Sequence, residues 1–353
     1  MAEPMIELPF TPRRILIVKP SSLGDVVHSL AILNVLRSCF PAAGIDWVIA
    51  KGLEGLLEGH PMIRRLIVID KDRWRDLSRA FGTMKELREL SAALKEGKYD
   101  LVVDLQGLLR SGIMTRLTNA PVRVGFADAR EGSSNFYTHK VMGGRHIHAV
   151  DRYLKIASSL GCVTGRVTFP FPDLKDDRQM ADELKERYGA YAVLVPGARK
   201  PANRWPARCF GELSSRLPVQ TLVVGSPGDR ELAEEVVGHS GGTALSIAGK
   251  TDLRGLISVV KEALFMVSND TGPMHIAAAF GVPVFALFGP ADPVRTGPYG
   301  AGHHVIRSGA ACAPCFKRNC ENPHCMTDIP VDAVYEQITE FIRSRRDSED
   351  RRP

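Results

Sequence analysis

The sequence has no apolar run that approaches the roughly 20 consecutive residues needed for a membrane-spanning helix. Its first ten residues contain no Lys or Arg, so they lack the basic region that begins a secretory signal peptide. With 44% apolar and 24% charged residues, the composition excludes disordered, collagen-like and disulfide-scaffold proteins. These absences predict a globular protein of the cytoplasm.

The length of 353 residues favours two domains of ordinary size over one oversized core. The net charge of +6 is unevenly distributed along the chain. Residues 1–175 carry 25 Lys and Arg against 18 Asp and Glu, whereas residues 176–353 carry 21 against 22. The first half is therefore suited to an anionic partner, and a solvated basic face is the alternative.

Buried strands alternate with helical stretches through both halves of the chain. Continuous Val, Ile and Leu strands of this kind form parallel sheets covered by helices on both faces, so we expect an α/β fold with two doubly wound, Rossmann-like domains. The segment 169–177, rich in Pro and charge, is the predicted linker. The predicted strands are 14–19, 45–51, 65–70, 99–107, 122–127, 191–197, 221–226, 243–249, 264–270 and 283–289.

The loops at the carboxyl ends of the strands are the candidate sites, because ligands of doubly wound folds bind there. The first such loop places Ser21, Ser22 and Asp25 at the start of a helix. Asp25 can be a helix cap or a general base, and residue type alone does not separate the two. The first strand is not followed by a GxGxxG motif, which argues against a nicotinamide dehydrogenase.

Two loops in the second half can bind phosphate. Segment 268–275 joins a strand to a helix, and backbone N–H groups near Thr271 and Gly272 lie at the positive end of that helix. A capping Asp and a core His275 are the structural alternative. The loop 196–206 also carries three cations, which either bind a pyrophosphate or stay exposed to solvent. These cations are Arg199, Lys200 and Arg204.

Four of the seven cysteines lie within 14 residues, and His324 is beside the last of them. This density raises zinc or an iron–sulfur cluster as an alternative, although the intervals differ from the paired CxxC motifs of a zinc ribbon. In a cytoplasmic protein we expect all seven to be thiols or metal ligands sooner than disulfides. The four are Cys312, Cys315, Cys320 and Cys325.

Motifs in family order over residues 19–326 resemble the ADP-heptose:lipopolysaccharide heptosyltransferases, inverting enzymes of glycosyltransferase family 9. The resemblance implies a GT-B fold, with a cleft between two Rossmann-like domains. It assigns 1–172 to acceptor binding, 173–330 to the ADP-sugar, and 331–353 to a helix that can cross back and a frayed tail. The motifs are VKPSSLGDVVHSL, YDLVVDLQGLLRS, GFADAREGSSNFY, HAVDRYL, RWP, VSNDTGPMHIAAAFGVPVFALFGP and CAPCFKRNC.

The resemblance implies that Asp25 deprotonates the acceptor hydroxyl as that oxygen attacks the anomeric carbon of ADP-heptose. The segment from Asp270 to His275 would bind the pyrophosphate. Asp229 is expected at the ribose and Thr251 at the adenine. The implied donor-binding residues are Gly197, Ala198, Lys200, Arg204, Asp229, Thr251, Asp270, Thr271, Gly272 and His275.

The chain departs from the family pattern before the aromatic–Pro pair, where relatives often have Lys. It reads Ala202-Asn203-Arg204-Trp205, so Lys200 or Arg204 must supply any cation needed there. The resemblance implies no cofactor, and similar cysteines recur in some heptosyltransferases without an obvious need for metal. We therefore expect no zinc or iron–sulfur cluster.

The implied acceptor is Kdo-bearing lipid A, whose carboxylates and phosphates match the basic first half. We expect a cytoplasmic monomer that lies peripherally at the cytoplasmic face of the inner membrane, where the lipid acceptor is anchored. The implied acceptor-binding residues are Lys19, Ser21, Ser22, Arg73, Arg75, Gln106, Arg130 and His148.

Two other functions compete with this prediction. A heptosyltransferase II would add heptose to the first heptose; DLQGLLRS and AREGS look more like the first enzyme, and the late cysteines more like the second. A metal-bearing nucleic-acid-binding protein would use the cysteine cluster and the basic half. Its aromatic content of 7% is low for that role, so we expect no nucleic-acid partner.

Overall fold

The apolar runs of the first half form one parallel six-stranded sheet in the computed structural model, which describes residues 5–70, 80–144 and 146–350. Its strands are β1 (Arg14–Val18), β2 (Gly44–Ala50), β3 (Arg65–Ile69), β4 (Leu101–Asp104), β5 (Val122–Phe126) and β6 (His139–Val141). The helices are α1 (Leu23–Cys39), α2 (Ala80–Glu96), α3 (Leu109–Leu117) and α4 (Ala149–Ser159). The strand order is β3-β2-β1-β4-β5-β6.

A second parallel six-stranded sheet repeats this arrangement in the second half. Its strands are β7 (Tyr191–Val195), β8 (Gln220–Val223), β9 (Ala244–Ser246), β10 (Phe265–Asn269), β11 (Val284–Leu287) and β12 (His304–Ile306). The order is β12-β11-β10-β7-β8-β9. The helices are α5 (Gln179–Tyr188), α6 (Ala207–Arg216), α7 (Arg230–His239), α8 (Leu253–Lys261), α9 (Gly272–Ala279), α10 (Pro293–Thr296), α11 (His324–Thr327) and α12 (Val331–Asp350).

Strand β1 shows why the sheets are covered on both faces. Alternate residues of a strand point to opposite faces, and Leu16 and Val18 pack in one cluster with Leu90 of α2. Ile15 and Ile17, on the other face, are equally buried, and α1 packs against α4. A central strand buried on both faces is characteristic of doubly wound sheets. The predicted α/β fold class is confirmed.

The chain divides into two compact units, Met1–Asp173 and Leu174–Pro353. Helix α12 packs against α6 within the second unit, where Arg216 donates to Asp332 at 2.7 Å and Ile338 is fully buried. Although α12 has 20 residues, no helix in the described ranges combines the length and the apolar character needed to cross a membrane.

Two strands of the structure, β6 and β12, were not among the predicted ones. Each has three residues and lies at the edge of its sheet. An edge strand needs little apolar sequence, and Lys140 of β6 and Val305 of β12 are exposed. The strand β9 is equally short and also lies at an edge, but it stands in the apolar segment 243–249 and was predicted, whereas β6 and β12 stand in no such run.

The expectation that all seven cysteines lack disulfides is wrong for one pair. The structure joins Cys39 to Cys162 across 123 residues, with a Cα–Cα distance of 5.5 Å. Cys39 ends α1 and Cys162 lies just after α4, so the packing of these two helices brings the sulfurs together. The Cα separation is within the usual disulfide range.

Candidate active site

Asp25 lies at the carboxyl end of the first sheet, where β1 leads into α1. Its Oδ2 atom accepts hydrogen bonds from the Ser22 backbone N–H at 3.0 Å and from the Ser22 hydroxyl at 2.7 Å. The bond from the Ser22 N–H is one half of a capping box at the helix start, in which the Ser22 side chain accepts from the Asp25 backbone. The Asp25 side chain still keeps 39% of its surface exposed, so the cap and base interpretations are compatible.

Lys19 and Tyr153 both approach Oδ1 of the Asp25 carboxylate. The Lys19 Nζ is 3.9 Å from Asp25 Oδ1 and donates to the Leu105 carbonyl at 3.2 Å, and the residue is only 3% exposed. The Tyr153 hydroxyl donates to Asp25 Oδ1 at 3.4 Å, and the Lys19 ammonium lies 5.3 Å from the centre of its ring. Sequence reasoning missed Tyr153, although it stands in the HAVDRYL motif.

This arrangement favours the ionised form of Asp25. Desolvation opposes ionisation, but the Lys19 ammonium and the Ser22 hydrogen bonds outweigh it and hold the pKa of Asp25 well below its ordinary value. Desolvation also opposes the charged form of Lys19, yet Asp25 and Tyr153 raise the pKa of Lys19. A carboxylate and a buried ammonium therefore coexist at neutral pH.

The turn after β4 places Gln106 beside the Asp25 loop. The Ser21 backbone N–H donates to Gln106 Oε1 at 3.4 Å. Buried Asp104 holds the turn, because its Oδ1 accepts from the backbone N–H groups of Gln106 at 2.9 Å and Gly107 at 3.1 Å. Its Oδ2 accepts from the Tyr137 hydroxyl at 2.7 Å. Gly107 has a φ of 64°, a conformation that favours glycine.

Two further predicted acceptor residues lie near the same sheet edge. The Arg130 backbone N–H donates to the Gly107 carbonyl at 2.9 Å, and its side chain is exposed. The His148 ring meets the ring of His28 edge to face at 5.0 Å, and His28 follows Asp25 by one turn of α1. The structure thus brings Gln106, Arg130 and His148 to the region of Asp25. The remaining two acceptor candidates, Arg73 and Arg75, lie outside the described residues.

The predicted donor-binding residues follow four adjacent strands of the second sheet. The spatial order of these strands is β10-β7-β8-β9, and all run parallel, so their carboxyl ends form one row. This row is the usual ligand edge of a doubly wound sheet. Along it lie Asp270, Thr271 and Gly272 after β10, Gly197 and Ala198 after β7, Asp229 after β8, and Thr251 after β9.

Two buried amides hold this row together, and sequence reasoning missed both. Asn269 Nδ2 donates to the Pro196 carbonyl at 2.8 Å, and its Oδ1 accepts from the Trp205 backbone N–H at 3.0 Å. Asn203 Nδ2 donates to Asp270 Oδ2 at 3.2 Å. Asn203, which belongs to the segment that departs from the family pattern, therefore contacts the candidate phosphate-binding loop 268–275.

Asp229 lies against the end of β7. A Cβ added at Gly197 would come within 2.9 Å of Asp229 Oδ1, so only glycine fits there without a shift. Asp229 Oδ2 accepts from the Ser226 backbone N–H at 2.9 Å and from the Ser226 hydroxyl at 2.6 Å. Like Asp25, Asp229 is held by a capping box and remains partly exposed.

The candidate cations of this edge differ in what they contact. Arg204 Nε donates to the Ala198 carbonyl at 3.0 Å, so it reaches the strand end that the family resemblance assigns to the donor. Lys200 Nζ is 3.5 Å from the Phe316 carbonyl. His275, in the first turn of α9, is 7% exposed.

Comparison with known proteins adds to this geometry. Residues 87–326, more than half of the chain, match the family model described as glycosyltransferase family 9 (heptosyltransferase). The chain belongs to glycosyltransferase family 9. The lipopolysaccharide heptosyltransferase 1 of Pseudomonas aeruginosa is 33% identical to this family 9 enzyme, over 93% of this chain and 98% of its own. The E. coli heptosyltransferase WaaC with ADP aligns over 93% of this chain and 99% of its own, with 28% identity and a TM-score of 0.76.

Family 9 membership confirms that the chain is a glycosyltransferase and that its fold is of the GT-B type. The alternative of a nucleic-acid-binding protein is thereby set aside. The Salmonella typhimurium lipopolysaccharide heptosyltransferase 2 is 27% identical to this family 9 enzyme, over 84% of this chain and 91% of its own. Lipopolysaccharide heptosyltransferases named 1 and 2 are therefore both represented among the relatives.

Three of the clustered cysteines of this family 9 enzyme lie in the loop between β12 and α11 of the second unit, and Cys325 lies in α11. Burial raises the pKa of Cys325, and Cys312, Cys315 and Cys320 raise it further. Cys312 and Cys320 are exposed. Within the described residues, no group of three or more His, Cys, Asp or Glu side chains is arranged to hold a metal ion.

Proposed function

We propose that this family 9 enzyme transfers L-glycero-D-manno-heptose from ADP-heptose to the Kdo-lipid A inner core of lipopolysaccharide. The observation that carries the proposal is the half-exposed Asp25 carboxylate, which Ser22 and Lys19 keep ionised at the carboxyl edge of the first sheet. The similarity to lipopolysaccharide heptosyltransferase 1 supports the choice of sugar and acceptor.

Asp25 is the general base of the proposed reaction. It removes the proton of an acceptor hydroxyl while that oxygen forms a bond to the anomeric carbon of ADP-L-glycero-β-D-manno-heptose. The bond from this carbon to the diphosphate breaks, ADP leaves, and the configuration inverts. A carboxylate with a depressed pKa is a weak base, but it is present in its ionised form throughout the neutral range.

The donor binds along the row of loops in the second unit. The N-terminus of α9, with Asp270, Thr271 and Gly272, offers backbone N–H groups and a positive dipole end to the diphosphate. His275 lies in the first turn of the same helix. Arg204 is the favoured cation because it reaches Ala198. The remaining donor contacts are assigned to Gly197, Lys200, Asp229 and Thr251.

The acceptor binds to the first unit, around Asp25. Ser21, Ser22, Gln106 and His148 surround the base, and the exposed Arg130 offers a cation to the Kdo carboxylates. Arg73 and Arg75 belong to the same proposal. The excess of basic residues in 1–175 suits an anionic lipid, so the enzyme approaches the cytoplasmic face of the inner membrane with this half.

The proposed reaction needs no resident metal and no second subunit. Backbone donors, the α9 terminus and side-chain cations neutralise the charge that develops on the departing ADP. Both sets of residues are on one chain, so a monomer suffices. The four clustered cysteines have no step in this mechanism.

An acceptor competition tests the proposal against its nearest rival. Purified enzyme is given ADP-heptose with Kdo-lipid A or with the same lipid already carrying one heptose, and ADP release and the glycolipid product are measured. We expect turnover on the first lipid only. Turnover confined to the second lipid would assign a heptosyltransferase 2 activity, and turnover on neither would contradict the proposal.

The division between donor and acceptor residues is tested by calorimetry with ADP. Asp270→Ala should weaken ADP binding, because it removes the Asn203 contact that holds the loop before α9. Arg130→Ala should leave ADP affinity unchanged and raise the KM for the lipid acceptor. Equal losses of ADP affinity in the two variants would contradict the division.

A further inference from the structure

We propose that Lys19 and Tyr153 are positioning residues for Asp25 and that Oδ1 of Asp25 is the atom that receives the acceptor proton. The inference rests on the proposed function, since it names the residues that hold the proposed general base in place. It goes beyond that function because it gives Lys19 a task other than acceptor contact and gives a task to Tyr153.

The two oxygens of Asp25 have different partners. Oδ2 accepts both Ser22 hydrogen bonds, at 3.0 and 2.7 Å. Among the residues that the structure describes, the contacts of Oδ1 are the Tyr153 hydroxyl at 3.4 Å and the Lys19 Nζ at 3.9 Å, both longer than ordinary strong hydrogen bonds. Oδ1 therefore keeps the capacity to accept a short hydrogen bond from a substrate hydroxyl, while Oδ2 fixes the carboxylate to the helix start.

Lys19 cannot readily reach a ligand in the described structure, because it is 3% exposed. Its Nζ donates to the Leu105 carbonyl, a neutral partner, so its charge needs a nearby anion. Asp104 also interacts with Lys19, but Asp104 is committed to Tyr137 and to the turn after β4. Asp25 is thus the anion that balances Lys19.

This balance has a consequence for turnover. When Asp25 takes the acceptor proton, Lys19 loses its anion while still buried, which disfavours the neutral acid. Asp25 is therefore driven to release the proton to water and to return to the carboxylate before the next cycle. Other titratable groups near this site are His28 on α1, His148 just before α4 and Tyr153 on α4, and His28 also favours the Asp25 carboxylate.

The pH dependence of kcat tests the inference. In Lys19→Met the cation is gone and desolvation remains, so the pKa of Asp25 rises. The acid limb of kcat should move up by about one to three pH units, the usual effect of one nearby opposite charge. ADP affinity should not change. Lys19→Arg should keep the acid limb near its wild-type position, because it restores the charge.

A matched control uses a second ion-pair cluster of the first unit, which consists of Asp46 with Arg64 and Arg65. Arg65 pairs with buried Asp46, so Arg65→Met removes a cation without touching Asp25, and the acid limb should not move. If Lys19→Met does not fold, Lys19→Gln replaces it, since Gln keeps a donor for the Leu105 carbonyl.

The outcomes separate this inference from the proposed function. Transfer that persists in Asp25→Asn would contradict the base itself. If Asp25→Asn is inactive but the neutral Lys19 variant keeps the wild-type acid limb and the wild-type kcat, only the role of Lys19 is overturned. A shift of the limb that Lys19→Arg reverses supports the role.

Discussion

Asp25 and Asp46, both in the first unit, have the same kinds of neighbours but the opposite exposure. Asp25 faces the Tyr153 hydroxyl and Lys19; its own side chain is 39% exposed, and that of Lys19 is 4% exposed. Asp46 is fully buried, whereas its partner Arg65 is 38% exposed. In one cluster the carboxylate is open to ligands, and in the other the cation is open to solvent.

The Asp46 cluster, which consists of Asp46, Arg64, Arg65 and Tyr99, has the features of a group that stabilises the fold. Asp46 Oδ2 accepts from the Tyr99 hydroxyl at 2.7 Å and from Arg65 at 3.3 Å, and Arg64 also pairs with it. These contacts join β2, β3 and the segment before β4. Burial and the neighbouring Asp46 raise the pKa of Tyr99 to about 12, so its hydroxyl remains a donor at neutral pH.

The difference teaches which member of an ion pair to examine. Burying a charge is expensive, and the buried member is the one whose partner must stay in place. Around Asp46 the protein buries the anion and lets water solvate the arginines. Around Asp25 it buries the lysine and leaves the anion accessible, which suits the proposed role of Asp25 as a base that meets a substrate.

Turnover gives the largest contrast between the two clusters. Asp25→Asn should lower kcat about 10²–10⁴-fold, the range that a positioned general base supplies. Asp46→Asn should leave the kcat of the folded enzyme unchanged, since it reaches no ligand. ADP release is measured well below the unfolding temperature of each variant. If Asp25→Asn keeps more than about a tenth of the wild-type rate, Asp25 is only a helix cap and not a general base.

Stability gives an intermediate contrast, measured by urea unfolding. Asp25→Asn leaves the Lys19 charge buried without its partner, so it should lower the free energy of unfolding by about 1–3 kcal/mol. Breaking a fully buried ion pair usually costs about 3–5 kcal/mol, and the loss is smaller here because Asp25 is partly solvated. Adding Lys19→Met should recover part of this loss.

The corresponding pair around Asp46 should behave differently. Arg65→Met added to Asp46→Asn should recover nothing, because water already solvates the exposed Arg65 side chain. Equal recovery in both double variants would remove the distinction between a buried and an exposed partner.

Much of the fold could be predicted because its signals are local. The strand β1 is a continuous apolar run, and the loop that follows it holds Ser22 and Asp25 side by side in sequence. Strand-end loops therefore revealed both candidate ligand edges. The three-residue strands β6 and β12 gave no such run.

What could not be predicted depends on contacts between distant residues. Tyr153 meets Asp25 across 128 positions, and Cys39 meets Cys162 across 123. The motif that contains Tyr153 drew attention to His148 instead, because the family resemblance assigns His148 to the acceptor. The burial of Lys19 was equally hidden, because a lysine at a strand end is ordinarily exposed.

The smallest contrast comes from removing one hydroxyl from each cluster. Tyr99→Phe and Tyr153→Phe each lose a hydrogen bond of a buried tyrosine, so both should lower the free energy of unfolding by about 1 kcal/mol. Only Tyr153→Phe should also lower kcat, by about two- to tenfold, the rate equivalent of one hydrogen bond. Unfolding curves and steady-state kinetics on the two variants separate the effects. An unchanged kcat in Tyr153→Phe would place Tyr153 with Tyr99, as a residue that stabilises the sheet and has no part in orienting Asp25.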